Sequence, residues 1–161
     1  MKIKKFYYLS VIVVTLTLLF SFIAYVYYAD VDAVSKTKVE IEDINLLNIY
    51  TNGVIIGFTV RFINPSYREI KDLSSKFDIY VDSNYIGSGS FSNINIEQRS
   101  YTSKTISITV TYYNLAQSTI EIIKDFIFGE RTSFSIQGTL TADVLFGLTE
   151  TSYNFITTIY S

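Results

Sequence analysis

The stretch TISITVTY, residues 105–112, puts Ile106, Ile108, Val110 and Tyr112 on one side of an extended chain and Thr105, Ser107, Thr109 and Thr111 on the other. Successive side chains of a strand point to opposite faces, so this period of two predicts one face in a core and one in water. Phe58, Val60 and Phe62 alternate in the same way with Thr59 and Arg61, as do Phe77, Ile79 and Val81 with Asp78, Tyr80 and Asp82. Antiparallel sheets with one solvated side are implied. Further strands are expected at 39–48, 85–91, 133–141 and 151–160, and Asn52-Gly53 is expected to supply the positive-φ residues of a hairpin turn. Seven strands suit an all-β, two-layer sandwich. One segment departs from the period: Leu115, Ile122, Ile123 and Phe126 recur at helical spacing, with Asn114 and Gln117 as candidate caps and Gly129 as a stop. A single short helix, its apolar stripe packed on a sheet, is therefore inserted between strands.

Upstream of the strands, residues 6–28 (FYYLSVIVVTLTLLFSFIAYVYY) run for 23 residues without a charge. As a helix this stretch is about 34 Å long, enough for the roughly 30 Å hydrocarbon layer of a bilayer. Aromatic residues gather at both ends, Phe6, Tyr7 and Tyr8 at one and Tyr25, Tyr27 and Tyr28 at the other, the levels where amphipathic rings meet headgroups. Lys2, Lys4 and Lys5 precede the run, so the positive-inside rule places the N-terminus in the cytoplasm and the rest outside. The expected organisation is a basic cytoplasmic stub at 1–5, a transmembrane helix at 6–28, a linker at 29–37 and the β-sandwich at 38–161. A cleaved signal peptide is the alternative, with Val31-Asp32-Ala33 as its small-residue site, but the apolar run exceeds the usual length of such a region.

Composition narrows the chemistry. The 161 residues hold neither cysteine nor histidine, which removes disulfides, thiol nucleophiles, imidazole bases and the common zinc sites together. From Asp30 onward ten basic residues face fifteen acidic ones, a net of −5 with no basic cluster, a poor match for nucleic acid. An enzyme would have to work through carboxylates, lysine or tyrosine. Asp78 and Asp82 share a strand face about 13 Å apart, too far for a glycosidase pair. Glu40 and Glu42 would stand about 6.6 Å apart, but on a solvated edge. Asp30 and Asp32 alone are too few oxygens for a divalent cation. No catalytic, cofactor or metal residue is assigned.

Read in order, Val60-Arg61-Phe62-Ile63-Asn64-Pro65-Ser66, Phe77-Asp78-Ile79-Tyr80-Val81-Asp82, Ile86-Gly87-Ser88-Gly89 and Phe134-Ser135-Ile136-Gln137-Gly138 resemble the late embryogenesis abundant type 2 family, also called the water stress and hypersensitive response (WHy) domain. The resemblance spans about residues 38–159. Ser66 stands where the family usually has a second Asn, and Glu97-Gln98-Arg99-Ser100 replaces a small or proline-containing stretch. The resemblance implies an immunoglobulin-like or fibronectin-like sandwich with one inserted helix and no catalytic residue. Relatives are associated with desiccation, cold and pathogen responses, and microbial members are commonly secreted or tethered. Its structural positions fall here on Asn64, Pro65, Gly87, Gly89 and Gly138. Pro65, the only proline, lacks an amide donor and is expected to end its strand and hold Asn64 extended. The glycines are expected to permit a bulge or close strand approach.

The function expected from these features is a membrane-tethered, extracytoplasmic, non-enzymatic module serving water stress through binding or protection. Its partners would be the membrane and an unnamed protein or lipid. Two other classes fit the sequence: a lipid or apolar-ligand carrier with a groove lined by Phe58, Phe62, Phe77 or Phe134, and a pilin-like structural surface subunit.

Overall fold

Alternation becomes seven antiparallel strands: β1 (Lys38–Tyr50), β2 (Gly53–Asn64), β3 (Ile70–Val81), β4 (Asn84–Ile96), β5 (Ser100–Thr111), β6 (Ser133–Val144) and β7 (Thr149–Tyr160). They form a three-stranded sheet in the order β1-β2-β5 and a four-stranded sheet in the order β4-β3-β6-β7. This computed structural model describes residues 2–161. The side chains of residues 2–6 and 114 lie outside that description, and with them the expected roles of Lys2, Lys4, Lys5, Phe6 and Asn114.

The two inner faces meet over Phe58, Phe62, Ile79, Phe134 and Leu140, all fully buried. Edge-to-face aromatic contacts stitch the layers: Phe58 of β2 lies 5.9 Å from Phe134 of β6, and Phe62 of β2 lies 5.2 Å from Phe91 of β4, centroid to centroid. Such pairs contribute about 0.5 to 1.5 kcal/mol beyond their buried area. Phe58, Phe62, Phe77 and Phe134, which a lipid carrier would use to line a groove, are all buried in the core.

Helix α2 (Gln117–Ile127) carries the chain between the sheets, from β5 to β6. Ile123 is fully buried and Phe126 packs edge-to-face on Phe134 at 4.9 Å, so the apolar stripe faces the sheet as its spacing predicts. Gly129, at φ +81°, donates to the carbonyl of Phe126 at 3.1 Å, and Glu130 N–H donates to that of Asp125 at 2.9 Å. These two bonds close the helix in a Schellman motif, which requires a left-handed residue that glycine adopts without a Cβ penalty. The start differs from expectation. Ala116 is the N-cap and provides no side-chain bond, while Gln117 is the first helical residue and reaches Glu121 at 3.5 Å.

Two further corrections concern local geometry. The β1–β2 loop is Thr51-Asn52, with Gly53 already paired to Tyr50, and neither Asn52 nor Gly53 has positive φ. Gly53 is needed for space instead, since a Cβ there would lie 2.3 Å from the Val110 carbonyl oxygen. The N-terminal helix α1 (Lys2–Ser35) does not give way to a linker after Tyr28 but continues for seven more residues. Burial of Ala33 and Val34 in the core of the sandwich accounts for that extension, because it gives the added turns an apolar partner.

Phe77 organises the four-stranded sheet. Its register partner in β4 is Gly89 and in β6 Gly138, so one large ring lies between two residues without side chains. A Cβ on Gly89 would come within 2.7 Å of the ring, and one on Gly138 within 2.4 Å of the Lys76 carbonyl oxygen and 2.6 Å of the Phe77 Cβ. At Gly87 the nearest atom is Ile108 Cδ1 at 3.4 Å, an ordinary contact, and β4 slips register beside it between Ile79 and Tyr80. Gly138→Ala is therefore expected to cost about 2 kcal/mol or more through overpacking against backbone. Gly87→Ala should stay within about 0.5 kcal/mol of the parent, since the gain from restricting the unfolded chain offsets small adjustments. Urea unfolding of the two variants measures both.

Candidate functional site

The chain crosses from one sheet to the other at the end of β2, and Asn64 sits there fully buried. Its amide Nδ2 donates to the carbonyls of Arg68 at 2.6 Å and Glu97 at 3.0 Å. Its Oδ1 accepts from Ser66 N–H at 3.0 Å and from the Ser66 hydroxyl at 2.7 Å. Asparagine is suited to this turn because its short side chain bonds the backbone two residues on. Ser66 is equally placed: its oxygen also accepts from Arg68 N–H at 3.1 Å. Pro65, exposed between the two, follows the last residue of β2, where a missing donor costs nothing.

The neighbouring turn joins this corner. Arg99, at φ +51°, donates its N–H to the Ser66 carbonyl at 2.9 Å, and its guanidinium stacks 3.7 Å from the centroid of Tyr67. The Glu97-Gln98-Arg99 loop thus takes its shape from contacts to the Asn-Pro corner rather than from small residues of its own.

Arg68 points from the corner to α1. Its Nε and Nη2 donate to Asp30 Oδ1 at 2.9 and 2.5 Å. The other oxygen, Oδ2, accepts from Leu145 N–H in the β6–β7 turn at 3.0 Å. One carboxylate, its side chain 15% exposed, therefore ties the helix to two loops of the sandwich. A charge-assisted bond to a partly buried carboxylate contributes more than a surface pair, about 1.5 to 3 kcal/mol. Asp32 turns away and pairs with Lys36 at 2.7 Å, so the two aspartates do not converge on one point. A shallow cleft of about 470 Å³ opens beside the tie, lined by Asp30, Tyr67, Arg68, Lys71, Asp143 and Phe146 among others.

Of the remaining carboxylates weighed for chemistry, Asp82 and Glu42 have structural partners, while Asp78 and Glu40 are exposed. Asp82 leaves the strand at φ +43° and accepts from Ser133 N–H at 3.0 Å. Glu42 lies at a register shift of β1 and accepts from the Ser103 hydroxyl at 2.8 Å and from the Arg61 guanidinium. The Ser103 bond, with Arg61 beside it, holds the Glu42 carboxyl below its ordinary pKa. Stability from that row is complete above the ordinary glutamate range and is lost as pH falls through the depressed value.

Of the five positions singled out in the sequence, Asn64 and Pro65 build this corner, while Gly87, Gly89 and Gly138 lie along the strands around Phe77. Arg68 and Leu145 were not singled out, and Asp30 was weighed only with Asp32 as a cation ligand. Arg68 lies 38 residues from Asp30 and Leu145 115, so no local spacing links them.

With two sheets in these orders, an inserted helix and an Asn-Pro corner in place, solved structures can be compared. An Arabidopsis thaliana protein known from a solution structure superposes over 76% of this chain and 79% of its own at a TM-score of 0.56, with 18% identity. A protein proposed to be late embryogenesis abundant (LEA), also solved in solution, superposes over 94% of this chain and 87% of its own at 0.53, with 13% identity. The chain has an LEA-like fold. No family model and no curated protein matches it by sequence, so the LEA-like fold is carried by the superposed geometry alone.

Two outcomes follow from the site. Asn64→Ala should destabilise the LEA-like sandwich by about 2 to 4 kcal/mol, because buried carbonyls and the Ser66 hydroxyl lose their partner. Pro65→Ala should cost only about 0.5 to 1 kcal/mol, through the unfolded chain. Chemical denaturation ranks the pair. Asp30→Ala should release the Leu145 amide, speeding its hydrogen exchange while amides in the centre of β6 keep their protection.

Proposed function

We propose that this chain is a membrane-tethered, non-catalytic module that holds its LEA-like sandwich on the outer side of a membrane, for binding or protection under water stress. The observation that carries the reading is α1. It is long and apolar enough to cross a bilayer, with a mean hydropathy of 2.5 over its most apolar 18 residues, and the side chains from Tyr7 to Tyr25 are exposed. A helix apolar on all sides needs lipid or a protein interior around it, and the sandwich touches only its last turns.

Those last turns also favour retention over cleavage. A cut after Ala33 would remove Val26, Ala33 and Asp30, which the sandwich buries or bonds. The lysines at the start support an outward-facing domain. The non-catalytic part rests on the lack of histidine and cysteine and on Asp30, Glu42 and Asp82 being engaged in turns and cross-strand pairs, and the stress-associated part on the likeness to an LEA protein and on the WHy-like motif order. The acidic balance argues for a protein or lipid partner rather than nucleic acid.

Ser83 sits exposed in the β3–β4 turn, at the far end of the sandwich from Asp30, and the chain has no native cysteine. Ser83→Cys is expected to react with a membrane-impermeant thiol reagent in whole cells, and the protein to stay with membranes after carbonate washing. Labelling only after lysis would reverse the topology, and a soluble product starting near Val34 would make α1 a signal sequence. Cross-linking from intact cells, hydrated and dried, tests the stress role: a partner captured equally in both states counts against it.

A further inference from the structure

The turn between β6 and β7 is Leu145-Phe146-Gly147-Leu148, four residues with no polar side chain, where turns ordinarily place Asn, Asp, Ser or Pro beside Gly. Phe146 is 73% exposed and Leu148 78% exposed. Leu145 and Phe146 stand at φ +52° and +61°, a region that bulky residues rarely occupy. Backbone bonds hold the turn in that shape: Gly147 N–H donates to Val144 O and Leu148 N–H to Leu145 O, both at 3.2 Å.

Its height along α1 is fixed. Asp30 accepts from Leu145 N–H at 3.0 Å, and Tyr28 and Tyr27 precede Asp30 by about 3 and 4.5 Å along the helix axis. Val26, about 6 Å before Asp30, is buried while Tyr25 and Tyr28 beside it are each 70% exposed. The end of the sandwich therefore reaches down the helix as far as the aromatic residues that would mark the membrane surface. Tyr67, on the neighbouring turn and lining the same cleft as Phe146, is also exposed.

We infer that the Leu145–Leu148 turn is a second membrane contact, setting Phe146 and Leu148 into the interfacial layer of the leaflet from which α1 emerges. The occupant of this surface is lipid, because the turn continues the apolar and aromatic surface of α1 at the same level. This inference rests on the anchoring reading above. The amphipathic boundary of a bilayer accepts Phe and Leu side chains that water does not, which gives the exposed turn a favourable environment.

Full-length Phe146→Cys, Leu148→Cys, Ser83→Cys and Leu18→Cys, each carrying the environment-sensitive fluorophore NBD, would be reconstituted into vesicles of phosphatidylcholine and phosphatidylglycerol. Shallow and deep spin-labelled lipids and aqueous iodide serve as quenchers. Expected is a blue shift at 146 and 148, strong quenching by shallow lipid labels, and a several-fold loss of iodide quenching relative to Ser83. Leu18 reports on anchoring separately: quenching by deep labels there, with iodide access at 146 and 148 equal to that at Ser83, overturns the inference and leaves the anchor standing. Absence of quenching at Leu18 overturns the anchor itself. Protection of 146 and 148 from iodide without quenching by lipid also overturns the inference, in favour of contact with a second copy of the chain.

Discussion

The buried amide of Asn64 holds the corner on which the arrangement of this protein depends. It bonds the carbonyl of Arg68 on the strand-crossing loop and that of Glu97 at the end of β4, so the two sheets are registered at one point. Placing the Arg68 backbone there directs its side chain to Asp30, and Asp30 in turn holds the Leu145 amide. A short series of polar contacts thus runs from the edge of the core to α1 and on to the last hairpin. Each member is partly or fully removed from water, where an unmet donor or acceptor is costly, so the series resists being broken piecemeal.

Much of the sandwich was legible because a half-buried strand writes its period directly into the chain. Ile106, Ile108 and Val110 could not alternate with threonine and serine in any other common element. Gly129 marked the end of α2 because only a left-handed residue closes a Schellman turn cheaply. Phe77 and its two glycines were visible only as glycines, since nothing local reveals that both lie beside the same ring. Asn52-Gly53 misled for a related reason: that dipeptide is common in tight hairpins, yet here the glycine answers to the Val110 carbonyl of a third strand.

The candidate site was half legible. The Asn-Pro corner has a sequence signature, and the amide bonds that make it structural are mostly local. Asp30 gave no such signal, because a carboxylate two residues past an apolar run reads as ordinary flanking polarity and its partners lie far along the chain. The extension of α1 through residues 29–35 escaped for the same reason: helical propensity at that end is modest, and the tertiary contacts of Ala33 and Val34 decide it. The one available signal for the β6–β7 turn was the absence of any polar residue in Leu-Phe-Gly-Leu between two strands of twelve residues.

The unbroken passage of α1 into the sandwich also makes the molecule a lever. A hinge of a few glycines or serines would let the domain wander independently of α1, whereas a helix clamped by Asp30 passes its own inclination on to the strands beside it. Strands of twelve residues reach roughly 40 Å. Were the helix to lean by about 20° to match a thinner bilayer, the far end of the sandwich would swing sideways by about 14 Å. Bilayer thickness, a property of the lipids alone, would thereby set how far from the membrane normal the outermost loops of this protein stand.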